Sequence, residues 1–290
     1  MRIQLLTILL ILSTFVLSSA YAEVLFSDGF ESGDLSYVDS SSGAKWDGQQ
    51  GGGSDSVSVS NLHPRTGIYS LRFHFGGNSD LNDDAWAEQR FQISSSQRSE
   101  IYVRYYIWFS ENYIIRNTPS TDNSKFFYMW GDSYANDMNK IGMEIETTMK
   151  AGFKAKQNYD GGVQLSCSNS FTGYMDDIPA KWTLSSSNKG KWLCFEWRYK
   201  IDSGIGDGVL QFWVDGKLQL EGKNLSWLGA PCGVSAFLRH GYLMGWSNSG
   251  FTEDTDVYID DVVFSTEYIW PDNYTGSKVP QAPSGFVLEE

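Results

Sequence analysis

Alternating apolar and polar residues, with the two-residue period of β-strands, recur along most of the chain. The clearest runs are Ser56–Ser60, Tyr69–Phe75, Ala85–Ile93, Glu100–Phe109, Lys125–Trp130, Lys140–Met149, Gly162–Cys167, Lys191–Ile201, Gly208–Val214, Lys217–Leu220 and Asp256–Thr266. No long segment repeats its apolar side chains at the helical period. Asp215-Gly216 separates two of the runs and predicts a tight hairpin turn. Many antiparallel strands joined by polar turns predict an all-β fold, a two-sheet antiparallel jelly-roll sandwich.

Four of these runs carry an unusual second face. An ordinary solvated face would hold mainly Lys, Glu, Ser and Thr, whereas this one combines aromatic rings with cationic and acidic groups. Flat rings stack on sugars, and forked guanidinium groups bind carboxylates. The alternation therefore predicts one glycan-binding face, and the alternative is a polar sheet packed under a long loop. Its members are Arg72, His74, Trp86, Glu88, Arg90, Tyr102, Arg104, Tyr106, Trp108, Glu144 and Glu146.

The first 22 residues have the order of a secretory signal peptide. One positive charge at Arg2 precedes a mainly apolar run, which ends in Ala20-Tyr21-Ala22. The run is too short and too interrupted for a membrane anchor, and no later segment is long enough to span a membrane. We expect a secreted protein, extracellular or periplasmic, with a signal peptide at 1–22, a sandwich domain at 23–270 and an extended tail at 271–290.

Composition agrees with strands and turns, since aromatic residues make up 15% of the chain and glycine contributes 29 residues. The formal net charge of −13 makes nucleic acid a poor partner, because phosphate binding needs clustered Lys and Arg. Three cysteines, Cys167, Cys194 and Cys232, allow at most one disulfide. Cys194 lies in an apolar strand and could equally be a buried free thiol.

Several stretches resemble secreted concanavalin A-like jelly rolls. Phe26–Asp34 is similar to their first strand and Arg65–Arg72 to the strand that follows. Trp192–Arg198, Asp207–Gly216 and Val257–Phe264 are similar to their closing strands. Within that superfamily, the nearest resemblance is to the jelly-roll polysaccharide lyases, the heparin lyase I and alginate or glucuronan lyase groups. The resemblance spans most of residues 24–270.

The resemblance to lyases implies β-elimination on a glycan that contains uronate. In such enzymes a tyrosine or histidine removes the proton next to the carboxylate, and an Arg, Gln or Asn neutralises that carboxylate. It implies catalytic candidates at His74, Arg90, Arg104, Tyr106 and Tyr128, with a second pair at His240 and Tyr242. Candidate substrate-binding residues are Arg72, Trp86, Glu88, Trp108, Lys125, Glu144 and Glu146.

The catalytic motifs of one large alginate lyase group are absent. Arg-Thr-Glu-Leu-Arg, Gln-Ile-His and Tyr-Phe-Lys-Ala-Gly-Val-Tyr do not occur. Glu88-Gln-Arg90 stands in a strand comparable to the first motif, and Lys125-Phe-Phe-Tyr128 in one comparable to the second.

Two other functions stay open. Glu144-Ile-Glu146 is similar to the catalytic strand of laminarinase-like hydrolases, but Met149 replaces the acid/base that retaining hydrolysis needs. A non-catalytic glycan-binding module or lectin would bind sugars through Trp86, Trp108 and Trp130.

The resemblance also implies a structural Ca²⁺ that ties the first strand to the last. Carboxylate oxygens suit this ion, and Asp28, Glu31 and Asp34 near the start would join Asp261, beside Asp260, near the end. The alternative is backbone hydrogen bonding by these carboxylates within turns. The whole prediction is a secreted monomer that acts on a polysaccharide, most specifically as a lyase.

Overall fold

The structure is a computed structural model that describes residues 23–80, 83–114, 123–132, 134, 140–146, 152–158, 178–201, 203–225, 237–247 and 250–272. It contains fifteen strands and a short 3-10 helix at Ser186–Asn188. The strands are β1 Val24–Asp28, β2 Lys45–Gly51, β3 Ser56–Ser60, β4 Ser70–Phe75, β5 Ala85–Gln92, β6 Glu100–Phe109, β7 Asn123–Trp130, β8 Lys140–Glu146, β9 Gly152–Asn158, β10 Ile178–Thr183, β11 Trp192–Lys200, β12 Gly208–Val214, β13 Lys217–Leu225, β14 His240–Ser247 and β15 Thr255–Ser265.

The strands form two antiparallel sheets, which confirms the predicted all-β jelly-roll sandwich. An eight-stranded sheet has the order β13-β12-β11-β6-β15-β4-β3, with β1 also paired to β15. A seven-stranded sheet has the order β10-β9-β8-β7-β14-β5-β2. In the part of the chain that the structure describes, no helix is long and apolar enough to cross a membrane.

Aromatic side chains fill the space between the two sheets. Phe127 of β7 stacks on Trp197 of β11, with ring centroids 5.7 Å apart and planes 12° apart. Phe91 of β5 packs on Phe264 of β15 at 4.9 Å. All four rings are fully buried. Because side chains alternate along a strand, these contacts decide which residues of each sheet point outward.

The sequence patterns did not predict several strands, among them β2, β9, β10 and β14. β14 shows the reason, since Gly241 and Gly245 interrupt its alternation. A Cβ atom at Gly241 would lie 2.4 Å from the Phe91 ring and 2.5 Å from the Tyr128 carbonyl oxygen. Close packing therefore requires glycine at this position, although glycine weakens the strand pattern in the sequence.

The hairpin predicted at Asp215-Gly216 is confirmed. β12 pairs with β13, and both turn residues have positive φ, 49° at Asp215 and 74° at Gly216. These values are the ones that a type I′ turn requires.

Cys194 is a buried free thiol, and burial raises its pKa to about 12. The predicted signal peptide, the strand Gly162–Cys167, Cys167, Cys232 and Met149 lie outside the described residues.

The expectation of one polar and aromatic face is corrected by the topology. Strands β4 and β6 belong to the eight-stranded sheet, whereas β5 and β8 belong to the seven-stranded sheet. The outward residues of these strands therefore occupy two faces, with the aromatic core between them. Sequence alternation identifies which side chains share a face of one strand, but it does not tell which strands share a sheet.

The segment Glu267–Asp272 packs on the outer face of the eight-stranded sheet. The Ile269 backbone N–H donates to Glu196 Oε1 at 2.6 Å, and Arg104 Nη1 donates to the Trp270 carbonyl oxygen at 2.9 Å. The rings of Tyr268 and Trp213 are 4.9 Å apart. This part of the face is therefore a polar sheet packed under a segment of chain, the alternative that the sequence left open.

Glu196 makes this contact sensitive to pH. Burial raises the pKa of its carboxyl to about 8, although the backbone N–H of Ile269 and the charge of Arg104 act in the opposite direction. The folded protein therefore keeps a proton on Glu196 that the unfolded chain loses above its ordinary pKa of about 4.3. It follows that this group's contribution to stability is full below that pH and declines as the pH rises toward 8.

We expect Glu196→Gln to remove this pH dependence, since the amide retains the acceptor oxygen and has no proton to lose. The melting temperature of the variant relative to the native protein should rise by at least about 3 °C between pH 5 and pH 8, because 1 kcal/mol corresponds to roughly 2–4 °C in a domain of this size. Circular dichroism melts across this range measure it. Glu111→Gln, at an exposed position, is the matched control, and parallel curves for the native protein and Glu196→Gln would contradict the prediction.

Candidate functional site

Three adjacent strands, β5, β14 and β7, build the centre of the outer face of the seven-stranded sheet. In their register Tyr242 lies opposite Arg90 on one side and opposite Tyr128 on the other. His240, two residues earlier, lies opposite Trp130. The register therefore brings together five aromatic and cationic residues from three separate parts of the sequence.

Three of these aromatic residues, together with Tyr134 from the turn after β7, form a cluster that is separate from the main core. Tyr128, Trp130 and Tyr242 are buried, and the partly buried Tyr134 packs against them. Tyr128 and Tyr242 stack with ring centroids 5.3 Å apart, and Trp130 meets Tyr134 edge to face at 5.1 Å. We call this set the aromatic floor.

The floor holds the phenol of Tyr242 in the protonated form. Burial raises the pKa of Tyr242 well above its ordinary value, and its hydroxyl is hydrogen-bonded to that of Tyr134. Tyr242 is only 1% exposed. It therefore supports the surface, and Tyr134 is the phenol of this cluster that has greater access to a ligand.

Arg90 lies above the floor. Its guanidinium carbon is 5.4 Å from the ring centroid of Tyr134 and 5.9 Å from that of Trp130. Glu88, which is almost fully buried, accepts a hydrogen bond from Arg90 Nε at 2.5 Å, and 30% of the Arg90 side chain is exposed. Glu88 thus fixes one edge of the guanidinium while the side chain still meets solvent. An anchored guanidinium of this kind is a suitable partner for a carboxylate.

His240 stands at the edge of the floor, with its ring 6.4 Å from that of Trp130. Burial lowers its pKa. The charges of Asp47 and Asp132 oppose that shift, and those of Arg239 and Lys45 reinforce it. The imidazole is therefore mainly neutral at neutral pH, the form that accepts a proton.

We expect the pKa of His240 in the folded protein to lie below 6.5. A proton NMR titration of the three imidazoles measures it, and the resonance that disappears in His240→Gln assigns the residue. A value at or above 6.5 would contradict the burial that the structure shows.

The remaining predicted residues of this sheet lie on β7 and β8. Lys125 is half-buried and opposite Glu144 in the register, and Glu146 is opposite Asn123. The side chains of Glu144 and Glu146 lie outside the described residues. Backbone register thus places both glutamates at positions beside β7, and their roles stay predictions.

The structure puts the other predicted catalytic and substrate-binding residues on the opposite side of the molecule. Arg72 and His74 share Asp256, which accepts from Arg72 Nε at 2.9 Å and lies 2.8 Å from His74 Nδ1. Trp108 stacks on His63 at 4.4 Å. None of these side chains shares a face with His240.

Arg104 and Tyr106 also lie on the eight-stranded sheet. Arg104 is paired with Asp272 at 2.6 Å, and the Asp272 backbone N–H donates to the Tyr106 hydroxyl at 2.9 Å. Burial raises the pKa of Tyr106 to about 12. Arg104 and Tyr106 therefore bind the segment Glu267–Asp272.

The carboxylates predicted to bind calcium bond to protein donors. Asp28 accepts from Trp46 Nε1 and from the Phe30 backbone, and Glu31 accepts from the Ile68 and Tyr69 backbone. Asp34 accepts from Ser36.

At the other end of the chain, Asp261 pairs with the guanidinium of Arg65, and Asp260 accepts from the Arg65 backbone N–H at 2.8 Å. The Arg65 guanidinium therefore supplies a positive charge where the resemblance implied a metal. Among the described residues, no group of three or more such side chains could hold a metal ion. The observed contacts of these carboxylates are hydrogen bonds and an ion pair within the protein. The calcium site therefore stays a prediction without support from the geometry.

The sequence patterns did not identify two residues of this outer face, Trp246 and Tyr134. Trp246, in β14, lies opposite Trp86 in the register, and its alternation with His240 and Tyr242 was the available signal. Tyr134 lies in a turn after β7, where strand alternation gives no signal.

A pocket of about 410 Å³ opens at the end of the sheet that carries Trp86 and Trp246. Glycines and acidic residues form much of its wall: Gly52, Gly53, Ser54, Asp55, Gly76, Asn78, Asp83, Asp84, Ala85, Gly250 and Phe251. The outer face thus has two distinct regions, the region around Arg90 and His240, where cations and carboxylates both occur, and this acidic pocket.

Comparisons with known proteins support the fold. The structure is similar to an endo-β-1,4-glucuronan lyase from the fungus Trichoderma reesei, with a TM-score of 0.58 and 15% identity over 84% of this chain and 96% of that one. It is also similar to the alginate lyase vAL-1 from Chlorella virus, with a TM-score of 0.50 and 12% identity over 78% and 93% of the two chains. No protein-family model and no curated protein matches the sequence.

The fold is therefore a jelly-roll sandwich, which this chain shares with these two structures. More particularly, it is similar to the jelly rolls of polysaccharide lyases, as the sequence resemblance predicted. At these low identities the structural similarity establishes the fold, and the chemistry must be inferred from the residues of this chain.

Proposed function

We propose that the protein is a secreted polysaccharide lyase that cleaves a uronate-containing glycan by β-elimination on the outer face of the seven-stranded sheet. The observation that supports it most directly is the placement of an anchored Arg90 and a neutral His240 on neighbouring positions of one aromatic surface. A guanidinium that neutralises the carboxylate and a base that takes the neighbouring proton are two groups that this reaction needs.

Arg90 takes the first role in this proposal. It binds the uronate carboxylate, and neutralising that charge makes the neighbouring C–H proton more acidic because negative charge accumulates there as the proton leaves. The contact of Arg90 Nε with Glu88 holds the guanidinium in place before substrate arrives.

His240 then accepts the proton. The electron pair of that C–H bond forms the new C=C double bond, and the glycosidic C–O bond on the neighbouring carbon breaks. The leaving oxygen takes a proton from a phenol, for which Tyr134 is our candidate because its hydroxyl is bonded to the protonated Tyr242. General acid–base steps of this kind contribute roughly 10²–10⁴-fold each.

The charge around this region is compatible with an anionic substrate although the chain as a whole is acidic. Lys45 and Arg239 both lie close enough to His240 to lower its pKa, and Arg90 adds a third positive charge. Asp47 and Asp132 act in the opposite direction. Glu88, which pairs with Arg90, brings the count to three carboxylates beside three cations, so this region is close to neutral whereas the whole chain has a net charge of −13.

Glycan binding without cleavage is the second candidate. It is favoured by Trp246, a large hydrophobic side chain that is 36% exposed beside Trp86 on the same outer face. Exposed paired tryptophans bind sugars by stacking and need no acid–base group.

The mature protein should release unsaturated uronate products from at least one member of a panel of uronate polysaccharides, followed by their near-ultraviolet absorbance. His240→Gln should lower kcat by roughly 10²–10⁴-fold, because it removes the base. Arg90→Gln should lower kcat/KM by at least tenfold, because it removes the carboxylate partner.

Matched substitutions on the other sheet separate the two possible centres. His74→Gln and Arg72→Gln should leave kcat within about threefold of the native value, and circular dichroism verifies that every variant is folded. Loss of activity in His74→Gln with retention in His240→Gln would move the reaction to the eight-stranded sheet. If no polysaccharide yields product while a glycan array shows binding, the protein is a lectin.

A further inference from the structure

The pocket at the Trp86 end of the seven-stranded sheet has the features of a second sugar site. The rings of Trp86 and Trp246 have centroids 5.4 Å apart and planes inclined by 46°, so the two rings form an angled wall. Trp246 Nε1 donates to Asp84 Oδ2 at 3.0 Å, and Trp86 Nε1 donates to Glu88 Oε2 at 3.3 Å. Both indoles are therefore held in orientation before a ligand binds.

Glycine leaves the space in front of this wall open. A Cβ atom at Gly52 would meet only the edge of Trp86, at 3.9 Å, and one at Gly53 would meet nothing within 4 Å. The volume of about 410 Å³ falls within the usual range for small-ligand pockets.

This pocket is acidic, whereas cations and carboxylates balance each other in the Arg90 region. Asp55, Asp83 and Asp84 line it, and no Lys, Arg or His stands among its described lining residues. The Asp55 carboxylate accepts from the Trp86 and Gly76 backbone at 2.6 and 2.7 Å. Carboxylates accept hydrogen bonds from hydroxyl groups, whereas they repel another carboxylate.

We propose that this pocket binds an uncharged sugar residue of the same glycan whose uronate lies at Arg90. The inference rests on the proposed function for the uronate, but the pocket itself can be tested without it. Trp86 and Arg90 are four residues apart along β5, about 13 Å at ~3.3 Å per residue. One sugar ring does not span that distance, so the two sites take different residues of one chain. The substrate class is therefore a heteropolysaccharide in which uronate and neutral sugars both occur.

An NMR titration of the indole N–H groups tests the pocket directly. The probes are the methyl glycosides of glucose, galactose and mannose, each compared with methyl glucuronoside. Trp246→Phe and Trp86→Phe assign the two resonances. At least one neutral glycoside should shift both, and methyl glucuronoside should bind at least tenfold more weakly.

Two glycine substitutions provide a matched pair that leaves the tryptophans in place. Gly52→Leu should fill the space in front of Trp86 and abolish the shifts. Gly48→Leu, four residues earlier in β2 at a position where a Cβ atom meets nothing within 4 Å, should bind the neutral glycoside like the native protein. His240→Gln should also bind it normally, because the pocket does not use the imidazole.

These measurements keep the two proposals apart. Absence of shifts with all three neutral glycosides, or equal binding of methyl glucuronoside, overturns the pocket proposal whether or not lyase activity is found. Shifts in a protein that cleaves no uronate polysaccharide would support the pocket and overturn only the lyase. Unchanged shifts in Gly52→Leu would place the neutral sugar elsewhere.

Discussion

Face-to-face packing of the two sheets is the constraint on which the rest of this structure depends. Phe127 stacks on Trp197, and Phe91 packs on Phe264, so that β7 and β5 are clamped against β11 and β15. Side chains alternate along each strand, and burying Phe127 and Phe91 therefore turns the residue next to each of them, Tyr128 and Arg90, outward. The core determines the composition of the outer face as well as the stability of the sandwich.

The two outer faces use similar residues for different purposes. On the eight-stranded sheet, arginines and tyrosines bind partners within the chain, as Arg104 does with Asp272 and Arg72 with Asp256. On the seven-stranded sheet, Arg90 is anchored by a buried glutamate yet keeps 30% of its side chain exposed. Arg72 bonds both oxygens of Asp256 through Nε and Nη2, whereas the bond of Arg90 to Glu88 uses Nε.

Charge divides the outer face of the seven-stranded sheet along its length. Near His240 the cations Arg90, Lys45 and Arg239 stand beside the carboxylates of Glu88, Asp47 and Asp132, whereas Asp55, Asp83 and Asp84 line the pocket beside Trp86. In the proposed function this division would orient an extended glycan, with the uronate at the end that holds cations and an uncharged ring at the acidic end. Net charge averages over this division.

Local signals in the sequence were sufficient for the fold class, for the hairpin at Asp215-Gly216 and for the face on which each side chain of a strand lies. They could not assign Arg72 and Arg90 to different sheets, because strand pairing joins residues far apart in the chain. They also missed β14, where packing against Phe91 demands glycine at Gly241 and breaks the alternation. Only the tertiary structure joined His240 and Trp246 to Arg90 and Trp86, since that proximity comes from the register of β14 beside β5.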